Sequence, residues 1–186
     1  VGIFKIWNGG TVGRLALART LGDELVEGAE FKTEDGETIR TGTLMTVQGD
    51  KTSKIARADS GDIVAIAKVD NARPGMILGD AATRDLSGHL IDLPARNARL
   101  AISTRDHKDD VRLSTALHKM VEEDPALEWG HDEVSHETIL RGINEDHLQV
   151  ILARLKARYG VEVDARPPRI AYKESIRKSI SLRGRH

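Results

Sequence analysis

The apolar positions of this chain change period twice between His136 and Val163. Ile139 and Leu140 sit in a β-favouring run that stops at Gly142. Leu148, Ile151, Leu152, Leu155 and Tyr159 then recur at i, i+3, i+4, i+7 and i+11, one stripe at helical period. Asn144 precedes that stripe as a helix cap, because its side-chain oxygen accepts a bond from an orphan amide. Glu145 and Asp146 put negative charge in the first turn, Lys156 and Arg158 put positive charge in the last, and Gly160 is a natural stop. Val161 and Val163 alternate with Glu162 and Asp164, which returns the pattern to a strand.

The preceding residues repeat the scheme. Leu100–Ser103 reads as a strand, and 108–123 as a helix with Leu113, Leu117 and Met120 inward. Asp124-Pro125 ends that helix, since the residue before proline is pushed out of helical geometry. Leu127 and Trp129 alternate in a second strand, and 130–135 reads as a loop. Residues 98–168 therefore predict βαββαβ, the ferredoxin-like split motif, whose sheet buries one face under two helices.

Residues 1–82 read differently. Short runs at 3–7, 14–19, 31–33, 38–40, 44–47, 63–67 and 76–78 alternate with turn signals, among them Asp35-Gly36 and Pro74-Gly75. That spacing predicts a closed barrel or a sandwich. Residues 83–97 lose periodicity and contain Gly88 and Pro94, so they read as a linker, with Leu90, Ile91 and Leu93 packing part of it on a domain. The expected class is α+β with two domains, at 1–82 and 98–168. The basic stretch 169–186 reads as the start of a further domain, solvated and fraying in the isolated chain.

Composition narrows the function. The 186 residues carry 31% charged side chains but a net charge of only −1, so any contact with nucleic acid has to come from local patches. Cysteine is absent, which excludes disulfides and thiolate metal sites and fits a reducing cytoplasm. No leader pattern or apolar run near twenty residues is present, so no membrane partner is expected. The chain starts at Val1 and ends at His186 as if cut from a longer protein.

Several short runs resemble the third domain of elongation factor G, the ribosome-dependent translational GTPase. They are Glu122-Glu123-Asp124-Pro125, Thr138-Ile139-Leu140, His147-Leu148, Arg154-Leu155-Lys156 and Gly160-Val161-Glu162, in order and spacing. Phe4-Lys5, Val12-Gly13-Arg14-Leu15 and Gly61-Asp62-Ile63-Val64-Ala65 are similar to its second domain, a β-barrel. The departure lies at Gly142-Ile143-Asn144-Glu145-Asp146-His147, where the family has Gly-Met-Gly-Glu-Leu-His. The resemblance implies a parent that acts in translocation and binds the ribosome, both its RNA and its proteins. These domains would relay nucleotide state in a chain that is itself monomeric, touching the parent's GTPase and following domains. A ribosomal protection or recycling paralogue is the alternative within the family. A stand-alone RNA- or protein-binding module is the alternative outside it.

The residues add no catalytic chemistry. A phosphate-cradling GxxxxGK[ST] run is absent. Gly49-Asp50-Lys51-Thr52 resembles only its tail, and Asp85-Leu86-Ser87-Gly88 fits a DxxG pattern short enough to arise by chance. GTP and magnesium are thus expected in a nucleotide domain outside this chain. His131 and His136-Glu137 lack a supporting ligand set, and Ser114 and Ser175 lack a nucleophile setting. His147 reads as a helix-end packing residue. Glu122 and Glu123 read as a solvated face, because adjacent helical positions point apart. No catalytic, cofactor-binding or metal-ligating residue is expected, and the chain is not expected to be an enzyme.

Overall fold

The structure is a computed structural model that describes residues 1–9, 12–32, 38–49, 51–69, 71–79, 92–170 and 172. It is an α+β arrangement of two halves.

In the first half, β1 (Gly2–Gly9) and β2 (Gly13–Arg19) pair antiparallel, with Phe4 bulged out between Ile3 and Lys5 and half-exposed. β3 (Leu25–Val26), β4 (Glu30–Lys32), β5 (Thr38–Arg40), β6 (Leu44–Gln48), β7 (Lys51–Ile55), β8 (Arg57–Ala58) and β9 (Ile63–Ala67) follow. The main sheet has the order β1-β2-β9-β6-β7, while β3-β8 and β4-β5 form two small ribbons. The β4–β5 hairpin pairs Phe31 with Ile39, as the Asp35-Gly36 signal predicts; the turn itself lies outside the described residues. The continuous apolar run of β9 has a structural reason. Val64 and Ile66 face a core with Ile3, Ile6 and Leu44, while Ala65 and Ala67 face a second cluster with Leu15 and Met45.

Among the described residues this sheet is open. The outer edge of β1 is met instead by the returning segment 75–78, through Ile3 N to Met76 O (2.9 Å) and Leu78 N to Val1 O (2.8 Å). β7 was not legible as a strand. It is the polar outermost strand Lys-Thr-Ser-Lys-Ile, and Gly49 at φ 59 supplies its turn from β6. Gly49, Lys51 and Thr52 therefore sit in a hairpin, without the strand–loop–helix setting of a phosphate loop.

The second half runs β10 (Ala98–Thr104), a 3₁₀ turn (His107–Asp109), α1 (Asp110–Glu123), β11 (Glu128–His131), β12 (Thr138–Gly142), α2 (Glu145–Tyr159) and β13 (Val163–Arg166). All pairs are antiparallel, in the order β11-β12-β10-β13. Both helices pack on one face, around Leu117, Leu127, Leu140, Leu148, Ile151 and Leu155.

Three local expectations shift. The first turn of the first helix tightens to 3₁₀. Gly130 and His131 belong to β11, opposite Ile139 and Thr138, so the loop begins later than its composition suggests. Val161 precedes its strand. Gly160 at φ 65 reverses the chain, Val161 N bonds Leu155 O at 3.3 Å, and the valine side chain is buried in the core.

The segment 92–97 has no regular structure, and Leu93 is exposed rather than packed. Docking there falls to Arg96, which donates to Pro125 O (2.8 Å) and Ala126 O (3.1 Å) and pairs with Glu128 (3.2 Å). Leu90, Ile91 and most of 169–186 lie outside the described residues. Arg169 does not fray: its amide donates to Glu137 Oε2 at 2.9 Å.

Candidate functional site at the junction of the two halves

Two turns of the second half place the groups that meet the first. Asn144 is extended (φ −150, ψ 178), and its Oδ1 accepts the His147 amide at 2.8 Å, so the predicted cap is formed. His147 then closes the turn with its ring. Nδ1 accepts the Ile143 amide at 3.2 Å, which leaves Nε2–H to donate to Asp124 Oδ2 at 3.0 Å. The end of α1 is thereby tied to the start of α2. Gly142 makes room for this, because a Cβ there would stand 2.7 Å from Leu148 Cδ2 and 2.8 Å from His147 Nδ1.

The junction lies immediately before Asp124, on the last two residues of α1. Glu123 accepts both arms of Arg158 from the last turn of α2, at 2.7 and 2.9 Å. The Asn8 amide, at the end of β1, donates to the same carboxylate at 2.8 Å, and Arg158 also donates to Asn8 O. Glu122 pairs with Arg14 Nε at 3.4 Å, while the other arms of Arg14 hold the carbonyls of Val69 and Ala72. Asn8 Nδ2 reaches Lys119 O at 3.3 Å.

The expectation of a solvated face at Glu122 and Glu123 is therefore corrected. The two carboxylates do point apart, but one takes Arg14 and the other takes Arg158 and Asn8. Their partners lie 108 and 115 residues away for Arg14 and Asn8, and 35 for Arg158, beyond any local pattern. Only the Glu-Glu-Asp-Pro run itself was a signal.

Electrostatics agree with this geometry. The hydrogen bonds that Arg158 donates to Glu123 hold its guanidinium above its ordinary pKa despite partial burial. Arg158 Cζ also lies 5.5 Å from the Tyr159 ring centroid, and burial raises the Tyr159 phenol. A planar fork that bonds a carboxylate bidentately and a carbonyl besides acts as a rigid coupler, not as proton-transfer machinery.

The other singled-out residues do not converge here. His131 and His136 face one another across their loop at 6.3 Å between centroids. No group of three His, Cys, Asp or Glu able to hold a metal occurs among the described residues. Ser114 donates to Val111 O within its own helix (3.0 Å). Gly13 opens β2 at φ 77, and Gly61 occupies a turn at φ 92. Asp85–Gly88 and Ser175 lie outside the described residues. No helix among the described residues is long and apolar enough to cross a membrane.

Residues 93–167 match the family model described as elongation factor G, domain III. An elongation factor G-like protein of Synechocystis sp. is 36% identical over 94% of this chain and 25% of its own length. Elongation factor G 1 of the same organism is 35% identical over 91% of this chain. A crystal structure of a Thermus thermophilus protein superposes at a TM-score of 0.78 and 29% identity, covering 91% of this chain and 26% of that one. The chain thus spans about a quarter of the length of the relatives it matches.

Proposed function

We propose that this chain, which belongs to the elongation factor G family, supplies the second and third domains of a ribosome-dependent translational GTPase and passes nucleotide state into domain movement. On this reading, residues 1–82 act as the β-barrel domain, 83–97 as the linker and 98–168 as the ferredoxin-like domain. Residues 169–186 lead into the next domain. The four-stranded order with both helices on one face supports the ferredoxin-like assignment. GTP and magnesium belong to a separate nucleotide domain, and this chain contributes no catalytic residue. The partners are ribosomal RNA and proteins in the cytoplasm, and one copy acts at a time.

The observation that carries the reading is the Arg158–Glu123–Asn8 junction. It fastens the end of one strand to the ends of two helices, so rotation of either half loads the other.

A chimera tests this. The matching quarter of Synechocystis elongation factor G 1 is replaced by this chain, and ribosome-stimulated GTP hydrolysis and translocation are measured. Both are expected to persist. A chimera that binds GTP but no longer responds to ribosomes removes the translocation reading. Retained ribosome stimulation without translocation assigns the chain to a protection or recycling relative.

A further inference from the structure

A cavity of about 580 Å³ opens where the two halves meet. Asn8 and Arg14 stand in its wall from the first half, and Lys119 and Glu122 of α1 with Arg158 and Tyr159 of α2 face them from the second. Small-molecule sites commonly occupy roughly 300–1,000 Å³ and favour such places between domains. The bonds of the junction do not use up the donors of this cavity. Tyr159 Oη is buried and has no hydrogen-bond partner. A buried hydroxyl is costly to leave unpaired, so its presence calls for a group that satisfies it. Burial raises its pKa, so it remains a donor at neutral pH. Arg158 spends Nη1 and Nη2 on Glu123 and Asn8, which leaves Nε unbonded among the described residues. The Lys119 side chain is exposed, and its ammonium has no partner among the described residues. The carboxylates are already matched: Glu122 takes Arg14, and Glu123 takes Arg158. Three cations against these two carboxylates leave one net positive charge, on Lys119.

We infer that this cavity binds a small polyvalent oxyanion, carrying carboxylate or phosphate groups, that bridges the two halves. Lys119 Nζ, Arg158 Nε and Tyr159 Oη are donors without acceptors, and an oxyanion supplies acceptors and the missing negative charge together. The opposite wall contributes Asn8 Nδ2, whose present bonds are long, 3.3 Å to Lys119 O and 3.5 Å to Glu122, and so readily exchanged for an anion. Other ligand classes fit less well. A divalent cation needs several unmatched oxygen ligands, and no group of three His, Cys, Asp or Glu able to hold one occurs among the described residues. An apolar ligand finds no floor, because among the described residues no Leu, Ile or Val lines the cavity. A nucleic-acid backbone is held by many cations in a row, whereas this recess offers one unmatched charge. An anion held from both walls adds a second tie between the halves, beside the one that Glu123 and Arg158 already make.

Titration calorimetry of the whole 186-residue chain with citrate and with pyrophosphate, at constant ionic strength, tests the inference. One-to-one binding of at least one anion is expected, tighter than about 1 mM. The tighter of the two identifies carboxylate or phosphate as the group the cavity prefers. Lys119→Gln is expected to weaken binding at least ~5-fold and Tyr159→Phe at least ~3-fold, since hydrogen bonds to charged groups are the stronger kind. Tyr159→Phe keeps the ring and removes only the unpaired hydroxyl, so the melting temperature without anion is expected not to fall. Lys54→Gln, at an exposed position on β7 along the far edge of the main sheet, is expected to leave binding unchanged. Absent binding of both anions overturns the inference. So does an equal loss with Lys54→Gln, which would reduce the effect to overall charge, or binding indifferent to Tyr159→Phe. Bound anion is also expected to slow hydrogen exchange at the amides of Lys119 to Asp124, and unchanged exchange would place the anion elsewhere and overturn the site. Failure here leaves the chimera result untouched, since the chimera reads ribosome-stimulated turnover and this experiment reads a small anion.

Discussion

His147 Nε2 stands 3.0 Å from Asp124 Oδ2 while Nδ1 of the same ring takes the Ile143 amide, so one imidazole joins the exit of α1 to the entrance of α2. Its side chain is 15% exposed. His147→Ala leaves a largely buried amide and a carboxylate without their partner, and is expected to destabilise the chain by about 1–3 kcal/mol. Urea unfolding measures it. An effect under ~0.5 kcal/mol, the scale of an ordinary surface substitution, would mean the ring closes nothing.

Asn144 gives a second, sharper comparison. Its extended backbone needs no glycine, so its contribution is the oxygen that accepts the His147 amide. Asn144→Gly is expected to cost a few tenths of a kcal/mol, and Asn144→Ala roughly 0.5–2 kcal/mol. Equal losses in urea would remove the cap argument.

At Gly142 the constraint is space. Gly142→Ala drives a methyl into Leu148 and His147, and an expected cost of about 1–3 kcal/mol follows from overpacking a closed turn. A crystal structure of the variant should find the first turn of α2 displaced; an undisturbed turn at full stability contradicts the close approach.

The acid limb of stability is expected to depend on Glu137. Its carboxyl is held below the ordinary value, first by the Arg169 amide and then by the Arg166 and Arg169 charges. A depressed folded pKa means the stabilisation is complete above the unfolded value of about 4.3 and is lost as pH falls through the folded one. The gap in melting temperature between the parent and Glu137→Gln should therefore be full above about pH 5 and narrow progressively as pH falls below about 4.3 towards the lower folded value. A constant gap across that range removes the linkage.

Limited proteolysis should nick first in 83–97, apart from the C-terminal stretch, and release two folded pieces, because Leu93 and its described neighbours are exposed and outside regular structure. First cleavage inside 108–160 contradicts the division.

The second half was legible because its signals are local. Asn144, the Leu148–Leu155 stripe and Gly160 lie within one helix and specify its ends and its buried face. Most strands of the first half were legible from turns and apolar runs, but the closed barrel or sandwich expected from them was not found, since among the described residues the main sheet is open. The outermost strand β7 was missed, since a polar strand at a sheet edge has no apolar alternation to show. The junction was also missed. Glu123 and Asn8 look like ordinary polar residues until the fold brings them together across more than a hundred positions.

Glu122 and Glu123 sit at the wrong end of a helix. The C-terminus of α1 carries the negative pole of the helix dipole, its last turn holds no basic residue, and two carboxylates there are locally frustrated. Arg158 relieves one from within the second half, but Arg14 and the Asn8 amide come from the first. Separation of the halves therefore returns the frustration to α1, and the cost of opening the junction is felt as fraying of that helix rather than as a clean parting of two surfaces. Hydrogen exchange at the amides of Met120 to Asp124 would report the opening, well before either half unfolds.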